Sequence, residues 1–160
     1  MEIHWSHIGL SVTDLERSRL FYEEVFGFSL DTTIDVEGED TATLMRLPLP
    51  CRVRVMMLVK SGFTLELMQN LDPGMKPFRE RALNEPGLTH LNMRVEDVAE
   101  VRRRVVQYGG EVLEETILPE LSGARAAFSH ATYVRDPDGQ LIEVITDHRS
   151  EGGWIPSHLR

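Results

Sequence analysis

One short motif occurs twice in this chain of 160 residues, and this repeat constrains the fold more than any other feature. The first copy begins at His7 and is HIGLSVTDL; the second begins at His90 and is HLNMRVEDV. Apolar residues alternate with other residues after each histidine, and an Asp precedes the final apolar residue. Such alternation is typical of a strand that leads through a turn into a helix. The sequence therefore predicts two copies of one structural unit.

A predicted amphipathic helix follows each motif, over residues 15–26 and 98–108, and a glycine ends it. The distance from His7 to Gly27 is twenty residues, and the distance from His90 to Gly110 is also twenty. Because the spacing is conserved between the two copies, the repeat extends beyond the motif itself.

Alternating and β-branched segments predict the strands of each copy. In the first copy they cover residues 7–12, 28–36, 41–47, 52–59 and 63–68, and in the second 87–95, 111–117, 126–134 and 140–146. The boundary of segment 41–47 stays open because Pro48 and Pro50 follow it. We expect an α+β fold of two tandem βαβββ modules, residues 3–70 and 87–147, within a single domain at 3–147. Residues 71–86 are predicted to be a linker with a short helix at 78–83, and residues 148–160 a C-terminal tail.

Each copy also carries a glutamate between apolar neighbours in its last strand. Glu66 lies between leucines, and Glu143 lies between Ile142 and Val144. With a period of two, the apolar neighbours face the helix while the glutamates and the two motif histidines face the opposite side. A carboxylate in a buried strand needs a partner, and a metal ion is a suitable one. The candidate metal ligands are His7, Glu66, His90 and Glu143.

Composition excludes several other classes of protein. The formal net charge of −9 argues against a nucleic-acid partner or an anionic membrane surface. No apolar run approaches the length of a transmembrane helix, and the N-terminus lacks the layout of a secretory signal. A single cysteine, Cys51, cannot form an internal disulfide. We expect a soluble cytoplasmic protein whose partner is a small molecule.

At these motifs the sequence resembles the vicinal oxygen chelate superfamily, which includes glyoxalase I, methylmalonyl-CoA epimerase, extradiol dioxygenases and antibiotic-resistance proteins. The segments HIGLSVTDLERSRLFYEEVFGF, FTLELM, GLTHLNMRVEDV and YVRDPDGQLIEVI carry the resemblance. It implies a curved mixed sheet around a metal site, a homodimer, and one divalent ion per site, which can be Zn, Ni, Co, Mn or Fe(II). Lewis-acid catalysis is the expected chemistry.

The two His and two Glu match the ligand set of glyoxalase I, which implies a lyase or isomerase that transfers a proton next to a carbonyl. By this match Glu143 is the candidate base, with Glu66 as its counterpart. Asn92 and Arg94 share the strand phase of His90 and are candidate substrate contacts. The other substrate-binding candidates, taken from the family pattern or from their strand positions, are Ser11, Asn70, His130 and Tyr133.

Three functions stay open at this point: the glyoxalase-type reaction, ring cleavage by a dioxygenase, and non-catalytic binding. Ser11 stands where glyoxalase I has an arginine, which puts the use of glutathione in doubt, and Glu66 stands where methylmalonyl-CoA epimerase has Gln. The segment from Tyr133 to Glu143 resembles the end of the extradiol dioxygenase signature, so an Fe(II) ring-cleaving dioxygenase is the main rival. A non-catalytic binding or resistance protein is third, although such proteins commonly lack the metal ligands.

Overall fold

The computed structural model describes residues 1–74, 76, 78–117 and 131–146. The chain divides into two compact units, Met1–Arg79 and Glu80–Arg160, and each contains one copy of the repeat. Each unit has a four-stranded mixed sheet with helices, so the predicted α+β class and the two tandem modules are confirmed. No helix within the described residues is long and apolar enough to cross a membrane.

The first unit is built on one sheet with the strand order β1-β4-β3-β2. These strands are β1 (Ile8–Ser11), β2 (Ser29–Glu37), β3 (Arg52–Lys60) and β4 (Phe63–Asn70). The edge strand β1 runs parallel to β4, and the other pairs are antiparallel. The first and last strands of the module are therefore neighbours, which places the first histidine motif beside the glutamate strand.

Helix α1 (Leu15–Phe26) covers one face of this sheet. The side chain of Asp14 caps its first turn by accepting a hydrogen bond from the backbone N–H of Arg17, at 3.0 Å. Gly27 ends the helix at φ 70°, in the left-handed region that a glycine C-cap commonly adopts. Apolar residues of the strands are buried on this side of the sheet, among them Leu10, Val12, Leu58, Leu65 and Leu67. The predicted helix and its glycine stop are confirmed.

The predicted strand at 41–47 is wrong, because most of this segment belongs to helix α2 (Glu39–Met45). Two acidic residues, Glu39 and Asp40, occupy its first turn, where their negative charges interact favourably with the helix dipole and stabilise the helix. Ala42 is buried against Cys51, Val53 and Val55, so the helix covers part of the second face of the sheet. The threonines of the segment suit a strand, but this packing decides in favour of a helix. The first module is thus βαβαββ.

The second unit repeats the frame with the strand order β5-β8-β7-β6. Its elements are β5 (Leu91–Val95), α3 (Val98–Gln107), β6 (Glu111–Val112), β7 (Thr132–Arg135) and β8 (Leu141–Thr146). Strand β5 is parallel to β8, as β1 is to β4. Asp97 caps α3 through the backbone N–H of Glu100, at 3.0 Å. The backbone frame of the two modules is therefore the same at the strands that carry the repeated motif.

Three other segments differ from the prediction. The expected strand at 111–117 stops after Val112 and continues as a short 3₁₀ helix at Glu114–Thr116. Strand β5 begins at Leu91 rather than at residue 87, and residues 78–83 contain no helix. Pro86 and Gly87 precede β5, and Gly87 has a φ of 140°, which breaks the extended strand there. The predicted tail at 148–160 lies outside the described residues, as does the first part of the predicted strand at 126–134.

Candidate metal-binding site

The first module brings one histidine and one glutamate together. His7 precedes β1, and Nε2 of its ring lies 3.3 Å from Oε2 of Glu66 in β4. The flanking Leu65 and Leu67 are fully buried on the α1 side, so Glu66 lies on the opposite face, where its side chain is 20% exposed. This is the face that the strand period predicts for the glutamate. The pair offers one imidazole nitrogen and one carboxylate to a ligand.

Gly9 makes the room for the carboxylate of Glu66. The two residues are register partners in the parallel pair of β1 and β4. A Cβ atom on Gly9 would lie 3.0 Å from Oε2 of Glu66 and 3.0 Å from Cε of Met68. Both distances are tighter than ordinary van der Waals contact, so a larger residue would displace the glutamate or the methionine. The glycine therefore allows Glu66 to lie over β1.

The second module has the same pair with different surroundings. Nε2 of His90 lies 3.3 Å from Oε2 of Glu143, whose side chain is 10% exposed. Asn92, the register partner of Glu143, occupies the place that Gly9 has in the first module. Its Nδ2 atom donates a hydrogen bond of 2.6 Å to Oε2 of Glu143. A side-chain amide thus holds the second glutamate, where the first module has only the space above a glycine.

A hydroxyl group contacts the other nitrogen of each histidine ring. Oγ of Ser6 lies 2.9 Å from Nδ1 of His7, and Oγ1 of Thr89 lies 3.0 Å from Nδ1 of His90. If each Nδ1 carries the proton and donates it to the hydroxyl oxygen, Nε2 keeps its lone pair toward the glutamate. Histidines that bind metals commonly donate their second N–H in this way. The sequence contains the signal, since a hydroxyl residue precedes both histidines, but the prediction did not include it.

Tyr133 of β7 belongs to the second pair. It is the register partner of Glu143, and its ring packs edge-on against His90 with 5.5 Å between the ring centroids. Burial raises the pKa of Tyr133 above its ordinary value of 10.0, and the charge of Glu143 raises it further. The phenol therefore stays protonated at neutral pH and can donate a hydrogen bond.

A pocket of about 760 Å³ lies within the first module. Ser11 and Asn70, two of the predicted substrate contacts, both line it. The Oδ1 atom of Asn70 accepts a hydrogen bond from the backbone N–H of Asp72 at 3.1 Å, which orients the amide. Several further lining residues were not predicted as functional, namely Met45, Arg46, Leu47, Pro48, Val53, Met68, Gly74 and Lys76. Met45, Arg46 and Leu47 were missed because residues 41–47 were assigned to a strand.

The remaining predicted site residues fall into two groups. Arg94 is exposed and lies two residues after Asn92, on the same face of β5. His130 lies outside the described residues. Within neither unit do the described residues include a group of three or more His, Cys, Asp or Glu arranged to hold a metal ion. Each module by itself thus contributes one pair, a histidine with a glutamate.

A model of the Glyoxalase/Bleomycin resistance protein/Dioxygenase superfamily matches residues 4–144. The chain belongs to this superfamily. The match confirms the resemblance found in the repeated motifs and the fold that it implies. The superfamily includes enzymes such as glyoxalase I, and its members typically use a divalent metal.

Solved structures of superfamily proteins share the fold. A glyoxalase family protein from Bacillus cereus is 25% identical, with a TM-score of 0.73 over 91% of this chain and 95% of its own. The trypanothione-dependent glyoxalase I of Leishmania major is 23% identical, with a TM-score of 0.58 over 88% and 84%. The fosfomycin resistance protein FosX of Listeria monocytogenes is 21% identical, with a TM-score of 0.60 over 94% and 96%. The last two likenesses show the fold alone. No curated protein sequence matches the chain.

Proposed function

We propose that this superfamily member is a metal-dependent enzyme of the glyoxalase type, a lyase or isomerase that moves a proton at a carbon next to a carbonyl. The substrate is a small molecule with neighbouring oxygen atoms. One observation carries the proposal: each module holds a histidine Nε2 atom 3.3 Å from a glutamate Oε2 atom, at the same place in its fold. A structural role would not require the same pair twice.

The donor set fits a divalent metal ion. Imidazole and carboxylate together suit Zn, Ni, Co, Mn or Fe(II). The hydroxyls of Ser6 and Thr89 contact the ring nitrogens that do not face the glutamates, which supports Nε2 as the ligand atom in both histidines. Because a protein metal site usually has three or four protein ligands, one pair is not enough. We therefore assign His7, Glu66, His90 and Glu143 to one site, supplied by one chain or by two chains of a homodimer.

A bound ion would act as a Lewis acid toward the oxygen atoms of the substrate. The residues of the chain supply the proton transfer. We assign the base to Glu143, because Asn92 fixes its Oε2 atom and leaves Oε1 to take up the proton. We assign Glu66 as its counterpart in the first module. Tyr133 remains protonated and donates a hydrogen bond to a substrate oxygen.

Metal analysis of the purified chain tests the site. We expect His7→Ala and His90→Ala each to remove nearly all of the bound metal if the two pairs form one site. If each pair bound an ion by itself, each variant would retain half of the metal. His4→Ala is the matched control, because His4 is an exposed histidine of the same unit that contacts Glu2. Unchanged metal content in both His7→Ala and His90→Ala would contradict the proposal.

Solvent deuterium exchange tests the reaction. The metal-loaded protein is incubated in D₂O either with α-ketoaldehydes or with their thiol adducts. Proton NMR follows the exchange of hydrogen for deuterium at the carbon next to the carbonyl. We expect Glu143→Gln to slow the exchange by about 10²- to 10⁴-fold, the usual contribution of a positioned base, while the metal content changes much less. Exchange at the wild-type rate in Glu143→Gln would show that Glu143 is not the base.

A ring-cleaving dioxygenase is the second candidate. The edge-on contact between Tyr133 and His90 favours it, because it places the tyrosine of the dioxygenase-like segment beside a proposed ligand. Oxygen consumption with catechols distinguishes the two reactions. The dioxygenase requires Fe(II) and consumes oxygen, whereas the glyoxalase-type reaction proceeds without oxygen and with Zn, Ni, Co or Mn.

A further inference from the structure

The pocket of the first module has a mainly apolar wall. Met45 and Leu47 at the end of α2, Val53 of β3 and Met68 of β4 contribute to it. Its volume of about 760 Å³ falls in the range of small-molecule sites, which are commonly 300–1,000 Å³. Val53 is buried, and the two methionines and Leu47 are half-buried against the same apolar cluster. The apolar part of the pocket is thus supported by the core of the module.

The charged residues that line the pocket are both cations. Arg46 and Lys76 contribute to the lining, and no Asp or Glu does so among the described residues. This is a local exception in a chain with a formal net charge of −9. An anion in the pocket would find two positive side chains, and none of the described lining residues is a carboxylate that would repel it.

The backbone position of Arg46 supports a role for its side chain. Arg46 caps the end of α2 with a φ of 57°, in the left-handed region. Glycine is the usual residue at such a helix end, because a side chain is disfavoured there. An arginine at this position accepts that strain, and Arg46 contributes to the wall of the pocket.

The pocket and the candidate metal pair of the first module lie on the same face of the sheet. Ser11 lies two residues after Gly9 on β1, and Met68 lies two residues after Glu66 on β4, so all four share one face of the sheet. Cε of Met68 would lie 3.0 Å from a Cβ atom on Gly9. The pocket therefore begins on the face of the sheet that carries the glutamate.

We propose that this pocket binds an organic acid, with the apolar body of the ligand between Met45, Leu47 and Met68 and its anionic group at Arg46 and Lys76. The inference rests on the proposed function in one respect, because it places the reacting oxygens of the same molecule at His7 and Glu66. The substrate class is then an oxygenated molecule that carries an apolar chain with an acidic end.

Calorimetry with a matched pair of ligands tests the proposal on the full, metal-free chain. The probes are 4-phenylbutyrate and 4-phenylbutan-1-ol, which share an apolar body and differ in charge. We expect saturable binding of the acid, with an affinity about tenfold higher than that of the alcohol, the typical effect of a charge-assisted contact. Equal affinity for the two probes, or no saturable binding of the acid, would overturn the proposal.

Two variants of Arg46 locate the anion. Arg46→Gly suits the left-handed backbone and removes the charge, so we expect the affinity for the acid to fall about tenfold and that for the alcohol to stay the same. Arg46→Lys retains the charge and should recover part of the affinity. Arg54→Gln is the control, because Arg54 lies in β3 next to Val53 but on the opposite strand phase and is paired with Asp35. An Arg46→Gly protein that binds the acid like the wild type contradicts the proposal.

The same data separate this proposal from the proposed function. The metal analysis and the exchange assay could find neither bound metal nor proton exchange while the acid still binds in a way that depends on Arg46. That combination would support the pocket and reject the glyoxalase-type reaction. Metal-dependent proton exchange without selective binding of the acid would support the reaction and reject the pocket. Ser11→Phe adds a third readout, since a ring at this position should block both probes.

Discussion

The two modules share one histidine–glutamate pair and differ in what surrounds it. In both, a histidine Nε2 atom lies 3.3 Å from a glutamate Oε2 atom. Beside the glutamate, the first module has Gly9 and Met57, whereas the second has Asn92 and Tyr133 at the corresponding register positions. Small and apolar neighbours leave a pocket in the first module. In the second module, the amide of Asn92 holds the glutamate through a hydrogen bond. Under the proposed function, the first module would supply the substrate pocket and the second would supply the main base.

The modules also differ in the cores that support their pairs. The core of the first contains an aromatic cluster in which Phe21 contacts Tyr22 and Phe26 edge-on, with centroids 5.3 and 5.8 Å apart. Among the described residues, the core of the second is aliphatic, with Val105, Val134, Ile142 and Val144 fully buried. Large rings bury more apolar area for each residue than valines do. We expect the stability of the first module to depend on fewer side chains.

Phe21→Ala should have the largest effect on stability. Phe21 is fully buried, so its truncation is expected to cost about 3–5 kcal/mol of unfolding free energy. Val105→Ala in α3 removes less volume from the second core and should cost clearly less. Urea unfolding followed by circular dichroism measures both values. A Val105→Ala loss as large as that of Phe21→Ala would mean that the two cores carry equal weight.

Gly9→Val should have the next largest effect, through the metal site. The new side chain would meet the carboxylate of Glu66, which leaves the histidine of the first pair without its partner. We expect the metal affinity to fall about 100-fold, at the upper end of the effects seen when the support of a ligand is lost. Competition with a chromophoric chelator measures the affinity. Leu10→Val, a neighbouring change that faces α1, is the control, and an unchanged affinity in Gly9→Val would contradict the role of this glycine.

The sequence predicted the frame of the modules better than the walls of the pocket. Periodicity and capping residues act locally, so α1 and its stop at Gly27 could both be predicted. The strand phase also placed Glu66 and Glu143 opposite the helices, because a period of two leaves no other choice. Both conclusions needed only residues close together in the chain.

Helix α2 could not be predicted in the same way. Its threonines favour a strand, and the packing of Ala42 against Cys51, Val53 and Val55 becomes visible only in the folded sheet. The pocket residues Arg46 and Lys76 were missed for the same reason, since they are brought to Ser11 and Asn70 by tertiary structure. Asn92 was predicted as a substrate contact, whereas the structure gives its amide a hydrogen bond to Glu143.

Asn92→Leu sharpens the comparison from the side of the second module. The substitution removes the 2.6 Å hydrogen bond to Oε2 of Glu143 and keeps a side chain of similar size. We expect the metal affinity to fall about tenfold, at the lower end for the loss of a residue that orients a ligand. Because the proposed base, Glu143, also loses its orientation, kcat should fall while KM changes little. A change confined to KM would instead make Asn92 a substrate contact, as the sequence predicted.

Asp72→Asn has the smallest expected effect and depends on pH. The buried carboxylate of Asp72 accepts hydrogen bonds from the backbone N–H of Arg52 at 2.6 Å and from its guanidinium at 2.8 and 3.0 Å. The side-chain hydrogen bond from Arg52 is the main cause that holds the pKa of Asp72 below 3.8. A lowered pKa stabilises the folded state above about pH 3.8, and this contribution disappears as the pH falls through the lower, folded value.

We therefore expect Asp72→Asn to lower the Tm at pH 7 and to have a decreasing effect as the pH falls below 3.8. Asp136→Asn provides the comparison in the second module. Oδ1 of this buried carboxylate accepts the backbone N–H groups of Asp138 and Gln140, at 2.9 and 2.8 Å. An asparagine retains that oxygen, so its Tm should fall less than that of Asp72→Asn. Thermal unfolding across pH measures both variants. A larger loss in Asp136→Asn would show that the turn of the second module needs the charge of the carboxylate as well as its oxygen.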